Sequence, residues 1–211
     1  MIPAHAGLVR HMTIPAFSVT WDYRCPFAFN IHDHLVEALQ AGADWDVTFV
    51  PFSLGQVHVA EGESDIWLRP GDDSGLLALQ AGVAVRDRFP EHFLTAHRAL
   101  FRARHHDAKQ IRDEDVVHEI LTTAGLDADA VLAEVDTGTP LKTIQLEHER
   151  AAADHHVWGV PTFVVGDQAS FVRLMNRPDG DAARSIRDIE RIVDLLAWPE
   201  LNEFKHTSIP K

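Results

Sequence analysis

Between residues 16 and 23 (AFSVTWDY) apolar and polar side chains alternate, and the apolar ones are mostly β-branched or aromatic. That pattern predicts a strand. The period then lengthens. Leu35, Val36 and Leu39 fall on one face of a helix that opens at Cys25-Pro26 and runs to about Gln40. Pro26 takes the first helical position, where its missing N–H is not needed and its ring presets φ. Gly42 ends the helix, as glycine does where the chain turns left-handed. Residues 46–52 (DVTFVPF) predict a second strand. Strand, helix and strand in this order predict a parallel βαβ unit.

From about residue 60 to 156 the strand signal vanishes. Leu76, Leu79 and Val83 recur at helical spacing, as do Phe93, Ala96, Leu100 and Ala103. Further stripes are Val116, Val117, Ile120, Leu121 and Ala124; Val131, Leu132 and Val135; and Leu141, Ile144, His148 and Ala151. Ser74-Gly75, Phe89-Pro90, Gly125 and Thr139-Pro140 punctuate them, which predicts four or five helices. Strand chemistry returns at Thr162–Val165 and 169–174, joined by a Gly166-Asp167 turn, so a hairpin is expected. A last helix carries Ala182, Ile186, Ile189, Val193 and Leu196, and Pro199 closes it. The fold class expected is α/β, a thioredoxin fold with an α-helical insertion between its βαβ and ββα halves. Its domain spans 16–59 and 157–198, the insertion is 60–156, residues 1–15 form a disordered extension, and 199–211 form a tail. Met12 is an alternative start.

The chain has 211 residues, 19 Lys plus Arg against 32 Asp plus Glu, and a formal charge of −13. A nucleic-acid binder or a protein docked on anionic membrane would carry a basic face instead. No run of 18 apolar residues occurs, so no spanning helix is expected, and the first twenty residues lack the apolar core of a signal peptide. The expected location is the cytoplasm. One cysteine, Cys25, excludes an internal disulfide and two-Cys or four-Cys zinc sites.

Cys25 sits where a strand ends and a helix begins. Free N–H groups and the positive end of the helix dipole favour thiolate there. Arg24 acts in the same direction and Asp22 against it, so the expectation is a reactive thiol of lowered pKa, with an inert buried cysteine as the alternative.

The segment TWDYRCPFAFN resembles the active-site segment of the DsbA-like branch of the thioredoxin superfamily, where a strand ends in Asp-x-x-Cys-Pro-x-Cys. Trp158-Gly159-Val160-Pro161-Thr162-Phe163 resembles that family's cis-proline loop, and the 161 − 25 = 136 residues between the two suit its helical insertion. The resemblance implies that Val160 pairs with an extended partner beside the thiol. It departs at Ala28, which stands where the family has its second cysteine. Val50-Pro51-Phe52-Ser53-Leu54-Gly55 is similar to a segment of kappa-class glutathione transferases and 2-hydroxychromene-2-carboxylate isomerases. By that likeness Cys25 polarises a bound thiol, and Phe52 and Leu54 line the pocket. The acidic anchor those families use for glutathione is missing. Arg173 and Arg177 could clamp a carboxylate instead or be ordinary surface charges.

The function expected is a thiol-dependent oxidoreductase acting through Cys25 and a low-molecular-weight thiol. The alternatives are a transferase or isomerase using such a thiol, and a non-catalytic binding module. Cys25 is the catalytic candidate. Pro26, Phe27, Phe52, Leu54, Trp158, Val160 and Pro161 are the substrate-binding candidates. Glutathione or a similar thiol is the expected cofactor, partners are that thiol and an unidentified substrate, and a homodimer is open.

The sequence holds 14 histidines. His32/His34 and His155/His156 diverge on a helix, and His92/His97 are spaced by five, so no metal is expected. His155 and His156 precede the cis-proline loop, where a histidine could act as a base for the thiol. The alternative is that His148 and His155 continue the apolar stripe of their helix as ordinary half-buried residues.

Overall fold

The structure is a computed structural model that describes residues 14–201. Of the expected N-terminal extension, residues 1–13 lie outside the described residues, while Ile14 packs on the core. Residues 202–211 of the expected tail also lie outside them.

Four strands form one sheet in the order β2 (Val47–Pro51), β1 (Phe17–Trp21), β3 (Thr162–Val165), β4 (Gln168–Phe171). β1 and β2 are parallel, with Val19 opposite Phe49, and the β1–β3 and β3–β4 pairs are antiparallel. β3 has the expected bounds, while β1, β2 and β4 are shorter than the alternation suggests. β4 ends at Phe171, so residues 172–174 of the expected strand are coil, although the Val172 N–H still donates to the Pro161 carbonyl at 3.1 Å.

Helix α1 (Pro26–Gln40) joins β1 to β2 and buries Phe29, Ile31, Leu35 and Val36. Gly42 then adopts φ +93°, a conformation glycine takes without steric cost. Between β2 and β3 come α2 (Leu54–Val57), α3 (Leu76–Arg88), α4 (Phe93–His105), α5 (Glu114–Thr123), α6 (Ala128–Asp136) and α7 (Thr139–His155). Five of these six are the expected stripes. The sixth, α2, is one short turn capped by Ser53. Helix α8 (Ala182–Leu196) opens at Asp181, whose carboxylate accepts from Arg184 N–H, and turns Ile189 and Val193 inward. It lies against α1, and α1 also packs on α4, so one core runs from the sheet into the helical layer. Among the described residues no helix is long and apolar enough to cross a membrane.

Four imidazoles are buried among the described residues; His34 of α1 meets the Ser185 hydroxyl at 3.2 Å, and the other three pack against aromatic rings of the core. His32 of α1 and His97 of α4 are 1% and 0% exposed. They are linked at 2.9 Å, His97 Nδ1 meets the Tyr23 hydroxyl at 2.8 Å, and His32 Nε2 meets the Thr20 carbonyl at 3.1 Å. The third, His148 of α7, is stacked on Phe52 with ring centroids 4.0 Å apart.

Candidate active site

Four residues after β1 the chain enters α1, and Cys25 is the N-cap. Its sulfur accepts from the Ala28 N–H at 3.4 Å, and its S–H donates to the Val160 carbonyl at 3.2 Å. The Val160–Pro161 peptide bond is cis. Two segments distant in sequence therefore meet on one sulfur atom. Thr20 ties the second segment to β1. Its hydroxyl accepts from Thr162 N–H at 2.8 Å and donates to the Gly159 carbonyl, to which the Thr162 hydroxyl also donates at 2.8 Å.

The charges near the thiol do not act as the sequence suggests. Arg24 is held between Asp22 at 3.0 Å and Asp73 at 2.8 Å. Asp22 also accepts from the Arg24 and Leu54 N–H groups, and Asp73 from the Gly75 N–H. Two carboxylates on one guanidinium leave a negative balance close to Cys25. Burial pushes the thiol up, N–H groups of Ala28 and Phe27 pull it down, Asp22 pushes it up and Arg173 pulls it down. Burial is the largest of these, so Cys25 sits above its ordinary value. The expectation of a thiol activated below that value is overturned: helix-terminal N–H groups are present, but desolvation outweighs them. An un-ionised thiol is also what the contact with the Val160 carbonyl requires, since only S–H can donate to it.

The substrate-binding candidates do not share one surface. Pro26 is exposed at the start of α1, and Phe27 is half-buried beside it. Val160 and Pro161 are buried, with the Val160 carbonyl on Sγ. Trp158 is 65% exposed and packs on Phe171 with ring centroids 4.8 Å apart, so it is a surface group and not core. Phe52 is 1% exposed, which makes it core behind the site and not a pocket wall. Leu54 is half-buried and is held through its backbone by Asp22.

Of the histidines preceding the loop, His156 caps α7 in a left-handed conformation and is exposed. His155 lines a groove of about 600 Å³ on the Ser18, Thr48 and Val164 side of the sheet, away from Cys25. Neither hydrogen-bonds the thiol among the described residues. His148, expected to be half-buried, is 7% exposed with its Nδ1 unpartnered. No group of three metal-ligating side chains occurs among the described residues.

The Tyr23–His97–His32 chain was not foreseen. Its signal was available, because Phe93, His97 and Phe101 share a helix face, as do Phe29, His32 and Leu35.

Residues 18–179, well over half of the chain, match the family model described as the DSBA-like thioredoxin domain. The chain belongs to that family. Its fold is also that of several solved structures. DsbA from Pseudomonas aeruginosa is 18% identical with a TM-score of 0.54, covering 88% of this chain and 85% of that one. Cytosolic disulfide reductase DsbM from the same organism, solved with GSH, is 16% identical with a TM-score of 0.58, covering 85% and 99%. ScsC from Proteus mirabilis, in a compact conformation, is 19% identical with a TM-score of 0.54, covering 87% and 84%. No curated protein matches the sequence significantly. Within this family the chain is a single-thiol member, with the fully buried Ala28 three residues after Cys25.

Proposed function

We propose that the protein is a thiol–disulfide oxidoreductase that works through Cys25 alone, with a low-molecular-weight thiol such as glutathione as co-substrate, in the cytoplasm. The carrying observation is the position of Sγ, 3.2 Å from the carbonyl that precedes a cis-proline and at the first turn of α1. An extended thiol partner can pair there with the Val160 backbone. Cys25 gives up its proton to solvent and attacks a disulfide R–S–S–R as the thiolate, forming Cys25–S–S–R and releasing R–S⁻, which can take a proton back. With no second cysteine, an external thiolate R′–S⁻ attacks the outer sulfur, giving R–S–S–R′ and restoring Cys25. A chain whose only cysteine has no disulfide partner suits a reducing compartment.

The test is intact mass after incubating the native protein with glutathione disulfide, with Cys25→Ser as control. An adduct that forms on the native protein and is released by reduced glutathione supports the reading. An adduct formed only after unfolding refutes it and leaves a binding module.

One observation favours a second reading. The Cys25 S–H is a hydrogen-bond donor, 3.2 Å from the Val160 carbonyl, and such a donor would also stabilise the thiolate of a bound cofactor in a transferase or isomerase. Consumption of glutathione with an added electrophile supports the transferase. Isomerase turnover leaves the glutathione concentration unchanged.

A further inference from the structure

We propose that Arg173 anchors a carboxylate of the small thiol or disulfide that reacts at Cys25, so that the site prefers anionic thiols of the amino-acid or peptide type over neutral ones. This rests on the reading of Cys25 as the reacting thiol. Arg173 lies two residues beyond β4, with its Cζ 4.8 Å from the Phe27 ring centroid and 5.4 Å from that of Phe171. Phe27 is in the first turn of α1. Phe171 packs on Trp158 and lies beneath Gly159, where an added Cβ would come within 3.6 Å of it. The row Trp158, Phe171, Arg173, Phe27 thus joins the two segments that contact Sγ.

A guanidinium laid on aromatic faces keeps its N–H edge open to an in-plane carboxylate, and its order is already fixed before binding. Arg173 makes no ion pair among the described residues, whereas Arg24, Arg86, Arg98 and Arg184 all do. Its side chain is exposed. Its charge also reaches the sulfur, because it favours the thiolate of Cys25. Arg177 is placed differently. It covers Phe29 and lines a separate cleft that already holds Glu37, Arg98 and Asp179.

The experiment compares rates at Cys25 with two chromogenic disulfides, dianionic dithiobis-nitrobenzoate and uncharged dithiodipyridine. The proteins are the native chain, Arg173→Gln, Arg173→Lys and Arg177→Gln. The ratio of the two rates is the readout, because a change in thiolate fraction moves both rates together. Arg173→Gln is expected to lower the anionic-to-neutral ratio by about tenfold, the size of one charge-assisted hydrogen bond. Arg173→Lys should restore part of it, since it keeps the charge without the planar fork. Arg177→Gln should change it by less than about twofold, the effect of a screened distant charge. An unchanged ratio in Arg173→Gln overturns the proposal and leaves the Cys25 reading intact. No reaction of the native thiol with either probe overturns both.

Discussion

Acid should unfold this protein through histidines that must stay neutral. Burial pushes His32 and His148 each down to about 4, and burial and neighbouring His32 lower His97 as well. In the unfolded chain each titrates near about 6.5. Between those values the unfolded state binds more protons, so their stabilisation is complete above about pH 7 and is lost as pH falls towards 4. At about pH 5 His32 and His148 have each forfeited about 2 kcal/mol relative to pH 8. These two together forfeit about 4 kcal/mol, and His97 adds to the loss in the same direction, against a whole-domain stability of about 5–15 kcal/mol. The formal charge of −13 works the other way, because protonation relieves self-repulsion, and measuring at high salt screens that part out. Urea unfolding followed by tryptophan fluorescence, repeated from about pH 8 to about pH 5, gives the profile. His148→Phe isolates one site, since a phenyl ring can keep the stack on Phe52 and does not titrate. It should remove about 1 kcal/mol per pH unit from the slope near pH 5. A stability that stays flat from pH 7 to 5 refutes the reasoning, as does a His148→Phe slope equal to that of the native chain.

Further outcomes concern the loop around the thiol. Ala28→Cys should form an internal disulfide with Cys25 on treatment with glutathione disulfide, so that the mixed adduct no longer accumulates in intact-mass spectra; a persistent adduct contradicts the resolving role given to that position. Arg24→Ala strands Asp22 and Asp73, both nearly buried, and should cost about 3–5 kcal/mol in urea unfolding, whereas a loss under about 1 kcal/mol would show that the carboxylates find water. In Gly82→Ala the new Cβ meets the hydroxyl and ring of fully buried Tyr23. The clash should outweigh the helix propensity gained and lower stability by about 1–3 kcal/mol, which a lower urea midpoint would show.

Periodicity in the chain carries most of the fold. Strong stripes such as Ile186, Ile189, Val193 and Leu196 pin α8, and Cys25-Pro26 with Gly42 pins both ends of α1 almost to the residue. The site was legible as far as local chemistry reaches, with Cys25 as the N-cap and Val160-Pro161 opposite it. What local sequence could not carry was partnership across the fold. Asp73 lies 49 positions from Arg24, yet it decides that the guanidinium serves the loop and not the thiol. Burial of the sulfur depends on how the cis-proline segment closes over it, and that is set by Thr20 from the neighbouring strand. Phe52 and Trp158, both expected to line the site, part ways for a similar reason, one into the core and the other to the surface. An aromatic residue beside a motif can turn to either side of its backbone, and only the packing of α7 and β4 fixes which.

The buried imidazole chain has a direction. The Thr20 carbonyl can only accept, so His32 Nε2 must donate to it. The neutral His32 ring then accepts at Nδ1 from His97 Nε2, and His97 Nδ1 accepts from the Tyr23 hydroxyl. Both rings are thereby locked as the Nε2–H tautomer, and the phenolic hydrogen of Tyr23 points inward, away from the thiol loop. The chain acts as a one-way ratchet of donors: in neutral rings, reversing any one link would set two lone pairs face to face in a place water cannot enter. The residue two before Cys25 is thus oriented through two helices from Thr20, the penultimate residue of β1, which makes the strand and the active-site turn a single mechanical part.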